Sequence, residues 1–163
     1  MKIYGVTGWK NAGKTTLMER LVAEIAGRGF TVSTIKHAHH DTDVDQPGRD
    51  SYRHRAAGAS EVVLASPKRW ALMHELRGGK EWELDDLLPK LSPVDLVLVE
   101  GYKNAAHPKV EAYRQANSKP PLAARFGTIR AIASDAPLET DLPLLDLNDT
   151  AAIADFILAE VGL

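Results

Sequence analysis

The chain has 163 residues, 44% apolar and 26% charged, with a formal charge of -2 and no cysteine. That length suits one domain over 1–163 with a proper core, the charge argues against general affinity for nucleic acid or anionic membrane, and no disulfide framework or thiol chemistry is available. No run reaches the roughly 18 apolar residues of a membrane span, and MKIYGVTGWKNAGKTT lacks the layout of a secretory signal, so a cytoplasmic location is expected.

Lys2 to Thr7 reads as a short buried strand that opens into a glycine-rich loop. From Lys14 the pattern turns helical, with Leu17, Leu21, Val22 and Ile25 at three- and four-residue spacing. Gly27 and Gly29 mark its end. Phe30 to Ile35 is a second strand, followed by the polar loop KHAHHDTDVDQPGRD and a short helix from Asp50 to Ala57. Glu61 to Ala65 and Trp70 to Met73 read as strands joined by an SPKR turn. Leu84 to Leu91 reads as a short helix in spite of Pro89. Val94 to Val99 is the most apolar run and reads as a central strand. Pro108 to Tyr113, Ile129 to Ala133 and Leu142 to Leu147 are further strands, the last at an edge. Thr150 to Val161 closes the chain as an amphipathic helix. Strands that alternate with helices indicate an α/β fold of P-loop NTPase type, a mostly parallel sheet with helices on both faces, extended by the hairpin.

Gly8-Trp9-Lys10-Asn11-Ala12-Gly13-Lys14-Thr15 matches G-x-x-x-x-G-K-[ST] at every fixed position, between an apolar strand and a helix. The glycines let backbone N–H groups converge on an anion, and the helix adds its positive end. Lys14 is expected at the β- and γ-phosphates, the Thr15 hydroxyl on magnesium, and Thr16 within the same nucleotide site. Such loops need a second acid at the end of a neighbouring strand. Asp95 and Glu100 flank the central strand. Ligands sit at carboxyl ends in a parallel sheet, so Glu100 is the candidate, while Asp95 lies about 16 Å away at the other end. Gly101 behind it permits close backbone approach.

Lys36, His37, His39, His40, Asp41, Asp43 and Asp45 follow the second strand. They read as a plain polar loop, as a metal site, or as a switch that orders around triphosphate together with the helix after it. Arg49 and Arg53 share a helix face and face either phosphate or nearby acids such as Asp50. Asp135, past the end of the strand Ile129 to Ala133, is either a turn residue or a guanine reader, since a carboxylate accepts from guanine N1–H and N2–H and repels adenine N1.

GWKNAGKTTLMERL, TIKHAHHD, PGRDSYRHRAAGA and LVLVEGYK together resemble the molybdopterin-guanine dinucleotide biosynthesis protein B family over about Met1 to Pro108. The resemblance implies GTP as ligand, weak hydrolysis and a homodimer. It implies as partners the guanylyltransferase that joins GMP to molybdopterin and the molybdenum insertion proteins. It points to Gly8 through Thr15 for phosphate, to Asp50 and Arg53 in the second motif, and to Glu100 through Lys103 in the third. The expectation is a slow GTPase accessory with GTP and Mg2+ as cofactors, with Lys14, Glu100 and Asp50 at the chemistry. The alternatives are a small-molecule kinase, in which Asp43, Asp45 or Asp50 serves as base, and a metal-delivery GTPase using His37, His39 and His40. The homodimer is expected to use the apolar hairpin, whose edge and face need cover.

Overall fold

The computed structural model describes residues 1–38 and 43–163. Two compact units are present, one made of Met1–His37 with Leu88–Leu163 and the other of Ala38–Leu87. In chain order the elements are β1 (Lys2–Thr7), α1 (Lys14–Gly27), β2 (Val32–Lys36), α2 (Asp50–Ala56), β3 (Glu61–Ala65), β4 (Trp70–His74), α3 (Leu84–Leu87), β5 (Leu96–Glu100), β6 (Lys109–Tyr113), β7 (Ile129–Ser134), β8 (Leu144–Asp146) and α4 (Thr150–Val161).

The larger unit holds a six-stranded sheet in the order β2-β5-β1-β6-β7-β8, with every neighbouring pair parallel. β5, flanked on both sides by β2 and β1, is buried at all five positions, the apolar Leu96 to Val99 and the terminal Glu100. α1 buries Leu17, Leu21 and Ile25, and α4 buries Ile153, Ile157 and Val161, each row at four-residue spacing. Both rows pack on the sheet face formed by Tyr4, Val6, Leu96, Leu98, Val110 and Ala112. Burial of each large side chain stabilises the fold by about 1.5–3 kcal/mol. Truncating Leu21 to Ala costs roughly 2–5 kcal/mol because a cavity is left as well.

The alternate positions of β6 place Lys109 and Glu111, both fully buried, on the opposite face. Lys109 Nζ donates to the carbonyls of Ala105 and His107 at 2.5 and 2.8 Å and to Thr128 Oγ1 at 3.2 Å. Burial pushes its pKa down to about 8. Glu111 accepts the N–H groups of Leu122 and Ala123 at 2.7 and 2.8 Å, at the start of a 3-10 helix, Leu122–Ala124. Burial raises its pKa and those two N–H groups oppose the rise. Both charged groups satisfy loop backbone that would otherwise be left without partners.

Several boundaries differ from the sequence expectation by one or two residues, and two of the differences have local reasons. β5 begins at Leu96 rather than Val94, because Asp95 is spent on Thr31: its carboxylate accepts the Thr31 N–H at 2.7 Å and hydroxyl at 2.6 Å. The helix expected over Leu84 to Leu91 is α-helical only to Leu87 and continues as 3-10 over Leu88–Lys90, where Pro89 has no N–H to offer.

In the smaller unit β3 and β4 form an antiparallel hairpin, with Glu61 opposite His74 and Ala65 opposite Trp70. The Ser66 hydroxyl ties the turn by donating to the Arg69 carbonyl at 2.9 Å. Arg55 of α2 gathers Asp43, Asp45 and Glu75 at 2.9, 3.2 and 2.6 Å.

Candidate functional site

β1 runs directly into the loop 8–13, and α1 starts at Lys14. Gly8 takes φ +146°, and a Cβ there would lie 2.4 Å from the Ala112 carbonyl oxygen, so no other residue lets the loop leave β1 so close to β6. Among the described residues no side chain caps the N-terminus of α1. Its first-turn N–H groups and positive dipole end therefore suit an anion. Lys14 folds back and donates to the Trp9 carbonyl at 2.8 Å. Burial lowers its pKa; Glu100 opposes that shift, and Lys103 and Lys36 reinforce it.

β5 lies beside β1, with Val6 opposite Glu100, and beside β2, with Lys36 opposite Glu100. This register delivers Glu100 to the loop 8–13 and the start of α1. The Thr15 hydroxyl donates to Glu100 Oε1 at 3.3 Å, and Lys36 Nζ lies 3.5 Å from Glu100 Oε2. A hydroxyl and a carboxylate side by side are hard oxygen donors of the kind magnesium takes. The main chain then turns at Gly101 (φ +99°), where a Cβ would strike the His37 Cβ at 2.8 Å. That close approach lets the His37 N–H donate to the Glu100 carbonyl at 2.9 Å and the His37 ring stack on Tyr102 at 4.5 Å.

The remaining sequence candidates divide. Trp9 donates from Nε1 to the Pro120 carbonyl at 2.9 Å, with Lys119 and Lys103 ammoniums 4.6 and 5.8 Å from its ring centre. Lys10, Asn11, Thr15 and Thr16 are exposed, and Ala12 is buried beneath the loop. Asp50 and Arg53 belong to the other unit and pair with each other at 3.9 Å. Asp43 and Asp45, the other bases considered for a kinase, are engaged by Arg55. His39, His40 and Asp41 lie outside the described residues. Among the described residues no three His, Asp or Glu side chains are grouped for a metal.

Asp135 stands just past β7, at a cavity of about 420 Å³ lined also by Ser134, Pro137, Asp146 and Asn148. Its Oδ1 accepts the Gln115 N–H at 2.9 Å, and its Oδ2 lies 3.5 Å from Arg114 Nη1. Sequence reasoning passes over Arg114. The signal available is its place one residue beyond β6, since groups that meet ligands cluster past carboxyl ends.

Comparison with known proteins identifies the family. The model of the family described as molybdopterin guanine dinucleotide synthesis protein B matches residues 3–135. The chain is 45% identical over 157 residues, 95% of its length and 86% of the relative's, to a molybdopterin-guanine dinucleotide biosynthesis adapter protein of Haemophilus influenzae. It is 43% identical to the Escherichia coli adapter protein over 152 residues, 91% of this chain and 87% of that one. The solved MobB homologue of Bacillus stearothermophilus superposes with a TM-score of 0.75 at 32% identity, covering 99% of each chain. Bacillus subtilis MobB superposes with a TM-score of 0.77 at 26% identity, covering 99% of this chain and 98% of that one. With the family model matching most of its length and these relatives spanning nearly all of it, the chain belongs to the molybdopterin guanine dinucleotide synthesis protein B family.

Proposed function

We propose that the chain is an adapter of molybdopterin guanine dinucleotide biosynthesis that binds GTP and hydrolyses it slowly. Family membership supports the pathway, and the Escherichia coli and Haemophilus influenzae relatives are described as adapter proteins. The observation that carries nucleotide binding is the meeting of Thr15 and Glu100 at the uncapped N-terminus of α1. In this reading the loop from Gly8 to Thr15 and the first turn through Thr16 hold the phosphates. Lys14 supplies charge to the terminal phosphates, and Thr15 and Glu100 hold magnesium, which neutralises phosphate charge when bound. Guanine is the proposed base, read by the Asp135 carboxylate at the cavity beside β8. The proposed partners are the guanylyltransferase that joins GMP to molybdopterin and the molybdenum insertion proteins. A homodimer is proposed through the β3–β4 hairpin, whose Val63, Leu64 and Trp70 are 63%, 57% and 65% exposed.

Titration of the purified protein with GTP and ATP at fixed magnesium, followed by phosphate release without an acceptor, tests the reading. The expected result is binding of GTP at least about tenfold tighter than ATP, the size of one lost charge-assisted hydrogen bond. Release is expected to be slow and to rise when the guanylyltransferase is added. Equal affinities would remove the guanine assignment, and dependence on a small-molecule acceptor would make the chain a kinase.

A further inference from the structure

Arg114 follows β6, the strand that lies directly beside β1. A Cβ built on Gly13 would lie 3.1 Å from Arg114 Nε and 3.3 Å from Nη2. The guanidinium therefore rests against the phosphate loop where a side chain of residue 13 would begin. Asp135 Oδ2 lies 3.5 Å from its Nη1, and the Gln115 N–H donates to Asp135 Oδ1 at 2.9 Å. The loop thus carries two separate charged groups. Lys14 feels Glu100, Lys103 and Lys36 on the side where Thr15 and Glu100 meet. Arg114 sits at Gly13 and reaches Asp135, which borders the cavity at the ends of β7 and β8.

We propose that Arg114 binds the nucleoside end of the nucleotide, its plane against the base and its charge beside the α-phosphate, with Asp135 holding it in place. The inference rests on the nucleotide-binding reading above. A nucleotide whose terminal phosphates meet Lys14, Thr15 and Glu100 has its nucleoside directed away from them, towards Arg114 and the cavity. The guanidinium is planar and permanently charged, so one group can stack on a purine and donate to a phosphate oxygen. Its mobility is already restricted by Asp135 and the loop, so little further ordering is needed on binding. Stacking is tolerant of base identity. Arg114 therefore adds affinity for any purine nucleotide and leaves discrimination between bases to other groups.

The test is calorimetric titration of the wild-type chain and of Arg114→Ala, Arg114→Met and Arg114→Lys with GTP, GDP and ATP, with the magnesium requirement and melting temperature measured alongside. Arg114→Met keeps an apolar stem over Gly13 and carries the test if Arg114→Ala does not fold. The expected result for Ala and Met is a loss on the order of tenfold, equal for GTP, GDP and ATP, with the magnesium requirement unchanged. Arg114→Lys, which keeps the charge and loses the plane, is expected to recover only part of it. Wild-type affinities in both Ala and Met variants would overturn the proposal, and a loss confined to triphosphates would move Arg114 to the γ-phosphate. If the wild-type chain binds none of the three nucleotides, the nucleotide reading itself fails, a result separate from a wild type that binds and variants that match it.

Discussion

The Thr15 hydroxyl donates to Glu100 Oε1 at 3.3 Å across 85 residues of sequence. Each sits at the carboxyl side of its strand, one just after the loop that follows β1 and the other at the last position of β5. Asp95, at the amino side of β5, is instead locked to Thr31 at 2.7 and 2.6 Å. Thr15→Ala and Glu100→Gln are therefore expected to raise the magnesium needed for half-maximal phosphate release by about tenfold or more, the size of one lost ligand contact. Nucleotide binding without metal should change less. Asp95→Asn should leave the magnesium curve in place, and a shift with Asp95→Asn but not with Glu100→Gln would reverse the assignment.

Lys14→Ala is expected to weaken triphosphate binding by on the order of a hundredfold, because a charge-assisted bond to phosphate is lost. The melting temperature without ligand should not fall. Burial already disfavours this ammonium, and it donates to the Trp9 carbonyl at 2.8 Å. Near-normal affinity in the variant would end the phosphate-loop claim.

His107 gives an acid-sensitive stability. Its two ring nitrogens are shut away from solvent and have no hydrogen-bond partner among the described residues, and burial, then the neighbouring Lys109, push its pKa down to about 4 from 6.5. The folded state thus binds fewer protons than the unfolded one between those values. The contribution is fully present above pH 6.5 and is lost as pH falls through 4. His107→Leu should flatten urea-measured stability across that window by on the order of 2 kcal/mol relative to wild type. The same slope in both proteins would assign the acid loss to other groups.

Trp70→Glu tests the dimer. Trp70 is 65% exposed on β4 and Val63 63% exposed on β3, an apolar surface that a two-fold partner can cover. Light scattering at micromolar concentration is expected to give a dimer for the wild type and a monomer for the variant. A wild-type monomer would remove the dimer, and an unaffected dimer would move the interface away from the hairpin.

Much of the larger unit is legible in the chain. The loop from Gly8 to Thr15, the rows Leu17-Leu21-Ile25 and Ile153-Ile157-Val161, and the choice of Glu100 over Asp95 all rest on local patterns. These are glycine positions, helical spacing and the polarity of one strand. The backbone of a few neighbouring residues is enough to set them. Strand order is different, because it depends on how all six strands and their connections pack together. Only that order puts β6 beside β1, and with it Arg114 against Gly13 and Asp135 against Arg114. The strand expected over Pro108 to Tyr113 carries Lys109 and Glu111, and both are fully buried. Their partners, the loop carbonyls at Ala105 and His107 and the N–H groups of Leu122 and Ala123 at the start of a short 3-10 helix, have no signature in composition or spacing. A buried charge is stable only where such partners converge, and that convergence is a property of the folded chain.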